Sequence, residues 1–486
     1  MVPGRRGGNK AIAVRPTPSR RCARTLCYRL ARMFVNPLVR TLRCRIRRRP
    51  GNFGLLATAI GSAGALIGEI RTQRLGTVHT IRDIEVLVSD LEHLERVLAV
   101  IAESTDTAVM EVIDEVRQKH VGGKIHMVSR YPVTSLADLR RVYTPGVAEI
   151  CRLIASDASK ARVYTSIPRT VAIVTDGTAI LGLGRIGAVA GMPVMEGKAM
   201  LLEQLVGLSG IPILLDTTDP DEIVRTVCAI APSFGAIQLE DIAAPACFEV
   251  ETRLVSALRM PIFHDDQHGT ATVTLAAILT ACKRARRDVR SAVIGQIGLG
   301  AAGATIARFA MQVSDRPVLG ADLSNEAVAR HVAAGGVGSN IDEIMRWCDI
   351  VVATTGVRGL IKPEQVRPGQ IILALSNPDP EIEPEVALAS GAAFALDGAS
   401  VNNLLAFPGI LRGALDAGAM GVTREMFVAA ANAIADFGAW HDVTVPDPLD
   451  RKVHRNVAHA VARAAHESGV ATVPLDADYF GAAELD

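Results

Sequence analysis

The stretch "VRSAVIGQIGLGAAGATIARFAMQ", residues 289–312, decides the fold. Residues 291–295 read as a buried strand that runs into Gly298, Leu299, Gly300, Ala301, Ala302 and Gly303, after which the spacing becomes helical. Asp322 ends the next strand, "PVLGAD". Three glycines alone are weak evidence, because a tight strand-to-helix turn uses them too. Strand, glycines, helix and an acid about 20 residues on together form a dinucleotide-binding signature. Glycine lets the backbone approach a pyrophosphate, which then sits at the helix N-terminus. Gly298, Gly300, Ala301, Ala302 and Gly303 are the expected phosphate loop, and Asp322 is placed to accept hydrogen bonds from an adenosine ribose. Leu323 and Ser324 beside it offer no cation for a 2′-phosphate, which favours NAD over NADP.

Upstream, "VAIVTDG", "IPILLDTTDPDE", "GAIQLEDIAAP" and "PIFHDDQHGT" share one design. Each is a short apolar run that ends in carboxylate: Asp176, Asp216, Glu240 with Asp241, and Asp265 with Asp266. Strands separated by helices predict a parallel α/β sheet, and such sheets bind ligands outside the carboxyl ends of their strands. Several carboxylates cannot share a dry site without a proton or a cation to offset their repulsion. A divalent metal does this, and oxygen donors favour Mg²⁺ or Mn²⁺ over zinc. His264 and His268 lie four apart, as zinc-binding pairs on a helix do, yet we expect them to orient the loop rather than ligate. Helix capping near Gly269 and Thr270 would account for one acid but not for four.

The chain has eight lysines against forty-four arginines, so a lysine in a polar cluster calls for a chemical reason. "GMPVMEGKAMLLEQLVGL" predicts Lys198 in the first turn of a helix whose core face includes Leu201, Leu202, Leu205 and Leu208. A helix N-terminus disfavours an ammonium and pushes its pKa down, whereas arginine keeps its proton. That favours a general base over a salt bridge. In "RRVYTPGVAEI", Thr144 is expected to cap a helix with Pro145 at its first position, and Tyr143 alone marks an ordinary helix start.

Residues 1–50 hold fifteen Lys or Arg and no Asp or Glu, which leaves 37 basic against 51 acidic residues afterwards. The acidic body gives no case for nucleic-acid binding. Residues 1–40 are expected to form an unstructured basic extension, with a transit-peptide-like leader as the alternative. Apolar runs fall short of the roughly 18 residues a membrane helix needs, so no membrane partner is expected. Eight scattered cysteines without a Cys-x-x-Cys argue against a disulfide framework or a thiolate zinc site and fit a reducing cytoplasm.

At 486 residues the chain should hold two or three domains. Residues 41–116 read strand, helix, strand, strand, helix, strand. "RPGNFGLLATAIGSAGALIGEI" in that stretch resembles the ACT regulatory domain, a βαββαβ unit that often binds amino acids at subunit contacts. A ligand-free dimerisation module is the plain alternative. Past Phe407 the chain reads as helical.

Taken in order, "YTPGVAE", "TDGTAILGLG", "PVMEGKA", "LEDI", "FHDDQHGTA", "SNPDPEI" and "VNNLLAFPGILRGALD" resemble the malic enzymes over roughly residues 124–416. That family oxidatively decarboxylates L-malate to pyruvate and CO₂ with NAD(P)⁺ and a divalent metal. The resemblance implies Glu240, Asp241 and Asp266 as metal ligands, Lys198 as base, Tyr143 as acid and Asp265 beside the lysine. It also implies Asn377, Asn402 and Asn403 at the substrate, with Asn377 reaching the cofactor side. Ala179, Arg185 and Ala246 depart from the pattern: an arginine, a small polar residue and an arginine, respectively, would be expected there. The fold this predicts is α/β, with five segments: a basic extension over 1–40, an ACT-like unit over 41–120 and a substrate and metal domain over 121–282. A Rossmann-type NAD domain follows over 283–420, and C-terminal helices over 421–486. A homodimer is the default expectation, with a small-molecule effector at the ACT-like unit. The competing readings are a catalytically silent metabolite-binding regulator, or an enzyme for another β-carboxy-2-hydroxy acid or for oxaloacetate.

Overall fold

Alternation of apolar and polar residues makes Leu38–Arg47 a strand, β1, that buries Leu42, Cys44 and Ile46 on one face. It opens the computed structural model, which describes residues 38–180, 183–377, 379–441 and 443–481. The chain divides into two units, one ending at Gly122 and the other beginning at Gly123. In the first, α1 (Asn52–Ser62), β2 (Leu66–Leu75), β3 (His79–Val88), α2 (Leu91–Ser104) and β4 (Thr107–Ile113) follow β1 in βαββαβ order. The sheet runs β2-β3-β1-β4 with antiparallel pairs throughout. Leu56 and Ile60 of α1, with Val97 and Ile101 of α2, close a core over it. Residues 38–40, read above as the end of the extension, belong to β1. Arg40 is paired there with Asp114 at 2.9 Å, so a cation-rich stretch need not be coil. Residues 1–37 of that expected extension lie outside the described residues.

The second unit starts with two short helices, α3 (Leu136–Val142) and α4 (Val147–Ser156), and then builds two parallel sheets. The first sheet comprises β5 (Thr170–Thr175), β6 (Ser209–Leu214), β7 (Ala236–Leu239) and β8 (Ile262–His264), in the order β6-β5-β7-β8. Its connections include α5 (Ala188–Val206) after β5 and α6 (Ala246–Ala257) after β7, and α7 (Asp265–Arg284) leaves β8. The chain turns one way from β5 to β6 and later lays β7 on the other side. The carboxyl ends of β5 and β7 therefore flank a topological switch point, where open sheets hold their ligands.

The second sheet holds β9 (Ile294–Ile297), β10 (Leu319–Ala321), β11 (Val337–Gly338), β12 (Ile350–Ala353), β13 (Ile371–Ala374) and β14 (Phe394–Asp397). Its order, β11-β10-β9-β12-β13-β14, is the 3-2-1-4-5-6 arrangement of dinucleotide-binding folds. Helix α8 (Ala301–Val313) follows β9. Three further helices, α9 (Phe407–Asp416), α10 (Arg424–Trp440) and α11 (Arg451–Glu467), return the chain to the first sheet's side. Phe427, Ala430, Val457 and Val461 share one buried core with Met195, Ala271, Leu275 and Phe309. The C-terminal helices are thus part of the body that carries the acids. Among the described residues, no helix is long and apolar enough to cross a membrane.

Candidate active site and metal centre

Glu240 and Asp241 follow the last residue of β7. The Glu240 amide still donates to Val174 O at 2.9 Å, which holds the chain in sheet register up to the acid. Asp241 then adopts φ 54, a left-handed conformation that Asp tolerates better than most residues, and its carbonyl accepts the Ala179 amide at 3.0 Å. Asp265 and Asp266 occupy the first turn of α7, where the helix dipole favours anions. The Asp241 amide donates to Asp266 Oδ2 at 3.0 Å, tying the two strand ends together. One carboxylate oxygen from each of Glu240, Asp241 and Asp266 lies within 4.8 Å of the others. This is the one such group of metal-ligating side chains among the described residues. Three hard oxygen donors, two of them on buried residues, fit a divalent cation of the Mg²⁺ or Mn²⁺ kind.

Lys198 stands beside this trio. Its Nζ donates to Asp265 Oδ2, lies 3.1 Å from Glu240 Oε1, and sits 4.5 Å from the centre of the Phe407 ring. Asn403 Nδ2 also donates to Asp265 Oδ2, at 2.8 Å. Gly269 makes room for that carboxylate, since a Cβ there would lie 1.9 Å from Asp265 Oδ1. Burial pushes the Glu240 and Asp265 carboxyls up; Lys198 opposes this in both, and neighbouring acids add to it. For Lys198, burial opposes the charge, but Asp265, Glu240 and Asp266 outweigh it and hold the ammonium above its ordinary range. Four carboxylates, three of them on buried residues, gather around one ammonium, and a divalent cation would offset the excess of negative charge.

The first-turn placement of Lys198 is corrected by the structure. Helix α5 begins at Ala188, so Lys198 lies in its interior and no helix N-terminus lowers its pKa. "GMP" reads as a helix start because proline favours first turns. Packing of Met195, Ala199 and Leu202 instead carries the helix straight through Pro193. Tyr143 is likewise displaced from its expected setting. It ends α3 as its C-cap, the Thr144–Pro145 peptide is cis, and α4 starts only at Val147 after Gly146, so Thr144 caps no helix. Tyr143 is 65% exposed, and among the described residues no hydrogen bond joins it to Lys198 or the acids.

The two histidines face a residue that sequence reasoning missed. Glu251 of α6 accepts the His264 backbone amide at 2.7 Å and meets His268 Nε2 at 3.0 Å. Burial opposes its charge, but the two histidines outweigh it and hold this carboxyl below its usual range. His268 stacks on Phe427 at 4.7 Å, while the Ile242 amide meets His264 Nε2 at 3.4 Å. Only His264 Nδ1 comes near a candidate ligand, 3.6 Å from Asp266 Oδ2. Nothing in "CFEVETRL" separates Glu251 from exposed Glu249, which pairs with Arg253 at 2.9 Å. Gln238, which donates to Glu240 Oε2 at 2.9 Å, was also missed, as was Phe407 over the lysine.

On the second sheet a cavity of about 560 Å³ is lined by Gly298, Gly300, Asp322, Leu323, Asn340 and Thr354, among others. Gly298 has φ 88, and a Cβ on Gly303 would lie 2.0 Å from Gly298 O, so the third glycine is needed for helix and strand to meet. Ala301 and Ala302 open α8, whose first turn carries no acid. Asp322 accepts the Leu299 amide at 2.6 Å and the Ser324 amide at 2.8 Å, which fixes its carboxylate at the cavity rim. Asn402 spends its side chain on the Leu404 amide at 2.9 Å, and Asn377 is exposed beyond β13. Of the three asparagines, only Asn403 reaches the lysine cluster among the described residues.

Residues 122–255 match the family model described as malic enzyme, N-terminal domain. NAD-dependent malic enzyme 1 of Bacillus subtilis (strain 168) is 56% identical over 89% of this chain and 99% of its own length. The chain belongs to the malic enzyme family. A NAD-dependent malic enzyme of Geobacillus stearothermophilus is 38% identical over 89% of this chain and 95% of its own. The crystal structure of the malic enzyme from Pyrococcus horikoshii Ot3 superposes with a TM-score of 0.71 at 36% identity, over 75% of this chain and 94% of that one. In this malic enzyme the departures are spread around the site. Ala179 bonds through its amide to Asp241, Ala246 opens α6, and Arg185 is exposed.

Proposed function

We propose that this malic enzyme oxidatively decarboxylates L-malate to pyruvate and CO₂ with NAD, using Lys198 as base beside a metal held by Glu240, Asp241 and Asp266. The observation that carries the reading is the joining of the acid trio to the Lys198–Asp265 pair at the switch point of the first sheet. A divalent cation on the trio would polarise the C2 carbonyl, stabilise the enolate left after CO₂ departs, and cancel the field that holds Lys198 protonated. NAD supplies the acceptor for the C2 hydride when bound over Gly298, Gly300, Ala301, Ala302 and Gly303, with Asp322 at its ribose and Asn377 nearby.

Lys198 takes the C2 hydroxyl proton as the hydride leaves. Asp265 and Glu240 fix its Nζ, Asn403 holds Asp265 in place, and the Phe407 ring lies against the ammonium. Asn403 holds the substrate beside Lys198, and Asn377 and Asn402 join it there when the site closes. Tyr143 protonates C3 to release pyruvate, which requires its exposed segment to come over the site. That segment carries Met127 at 92% exposure and Tyr131, Leu136 and Val163 also exposed, which supports a homodimer with this surface covered. The six cysteines among the described residues are free, in keeping with a reducing cytoplasm. The N-terminal βαββαβ unit serves as an ACT-like regulatory module.

The test is NADH formation from L-malate and NAD with Mn²⁺, comparing the wild type with Lys198→Ala and a chelator control. Turnover that needs both the lysine and the metal supports the mechanism. No NADH from malate, with NADH formed from tartrate, would move the assignment to another β-carboxy-2-hydroxy acid, and pyruvate formed from oxaloacetate alone, without NADH, would leave a simple decarboxylase.

A further inference from the structure

The N-terminal unit contains a cavity of about 400 Å³ that the catalytic chemistry does not use. Four arginines, Arg47, Arg48, Arg49 and Arg82, line it over an apolar floor that includes Phe53 and Leu75, and no acid is among the lining residues. Only Arg47 has a carboxylate partner among the described residues: Asp106 at 3.4 Å, with side chains 44% and 62% exposed. Arg82 lays its guanidinium 4.4 Å from the Phe53 ring centre, and its Nε is buried with no hydrogen-bond partner. Arg48 finds only a carbonyl, Gly76 O at 3.4 Å. Helix α1 also starts at this cavity, after Gly51 with φ 89, with no side-chain cap and no acid in its first turn.

Surface arginines usually keep their donors in water. Arg47, Arg48 and Arg49 are exposed, yet they line one hollow with Arg82, which buries a donor unmet. Guanidinium groups repel one another, and their planar forks match carboxylate and phosphate oxygens. The uncapped helix start adds positive potential on the same side. We propose that this cavity binds a small organic anion carrying two or more negative charges, with an apolar body resting on Phe53 and Leu75. The proposal deepens the regulatory reading of the N-terminal unit and rests on it only for an effect on turnover.

The test is calorimetric titration of the full chain with inorganic pyrophosphate and, separately, with citrate. Saturating NAD keeps the Gly298 loop filled, and omitting divalent metal removes chelation. Saturable binding of at least one probe is expected, weakened about tenfold or more by Arg82→Gln and by Arg48→Gln. Arg96→Gln, which removes an exposed cation of α2 outside the cavity, should leave it unchanged. Pyrophosphate alone binding identifies a phosphate ligand, and citrate alone a carboxylate. Binding of neither probe, binding indifferent to Arg82 and Arg48, or an equal loss in Arg96→Gln overturns the site. Thermal melts check folding, and if Arg82→Gln disturbs β3, exposed Arg48 carries the decision. Binding that leaves malate turnover unchanged keeps the site and removes the regulatory role. Binding intact in an enzyme inactive on malate separates this proposal from the catalytic one.

Discussion

As the proposed base, Lys198 would have to take up and release a proton, which arginine cannot do. Its Nζ is fixed by Asp265 and Glu240 in a buried site, so charge alone would be supplied as well by a guanidinium, whereas proton transfer would not. Lys198→Ala and Lys198→Arg should both lower kcat by about 10²–10⁴, the usual worth of a positioned acid–base group. NAD affinity, read by fluorescence titration, should be unchanged in both; an active Lys198→Arg enzyme would refute the base assignment. Glu251 acts one step further out, by gripping the His264 backbone and the His268 ring on either side of Asp265 and Asp266. In Glu251→Gln the concentration of Mn²⁺ giving half-maximal rate should rise about 10–100-fold, as losses behind a ligand shell do. A merely structural role would lower the melting temperature and leave that concentration alone.

Elements were legible in the sequence where local sterics dictate them. The loop from Gly298 to Gly303 could be read because a Cβ at Gly303 would meet Gly298 O at 2.0 Å, so no other residue type serves there. The strand before it pairs over Ile294–Ile297, later than the 291–295 that apolar character suggests, since that character does not mark where pairing begins. Helix α5 starts at Ala188, ahead of the start that Pro193 signals, because tertiary packing decides the actual one. Glu251 could not be singled out, for its partners lie 13 and 17 residues away, one of them a backbone amide; Gln238 could not, because nothing in the sequence shows that its amide turns toward Glu240. Helix α11 offers a test of burial at this scale. His454 is fully buried, with Nε2 at 2.8 Å from Pro448 O. Burial lowers its pKa below the ordinary 6.5, although the Pro448 carbonyl opposes this. The folded chain thus favours the neutral ring, and unfolded His454 binds a proton more readily. Its contribution to stability is present above pH 6.5 and lost as pH falls toward the folded value. Denaturant midpoints should decline below that pH, and more gently in His454→Gln.

For the molecule as a whole, the question is which parts catalysis requires. The first unit has a core of its own, in which every fully buried member falls between Leu42 and Ile101. From Gly123 onward, α5, α7, α8 and the last three helices share a single core that spans both the metal and the nucleotide sides. The Pyrococcus malic enzyme is matched over 94% of its own length by only 75% of this chain, roughly the share that follows Gly122. A chain starting at Gly123 should therefore fold, bind NAD and turn over malate with the same dependence on Lys198, while losing the response to multivalent anions. Melting curves, NAD titration and NADH formation check these points in turn. A shortened chain that folds and binds NAD but leaves malate untouched would mean that the N-terminal unit helps to assemble the catalytic site, a role beyond the proposed regulation.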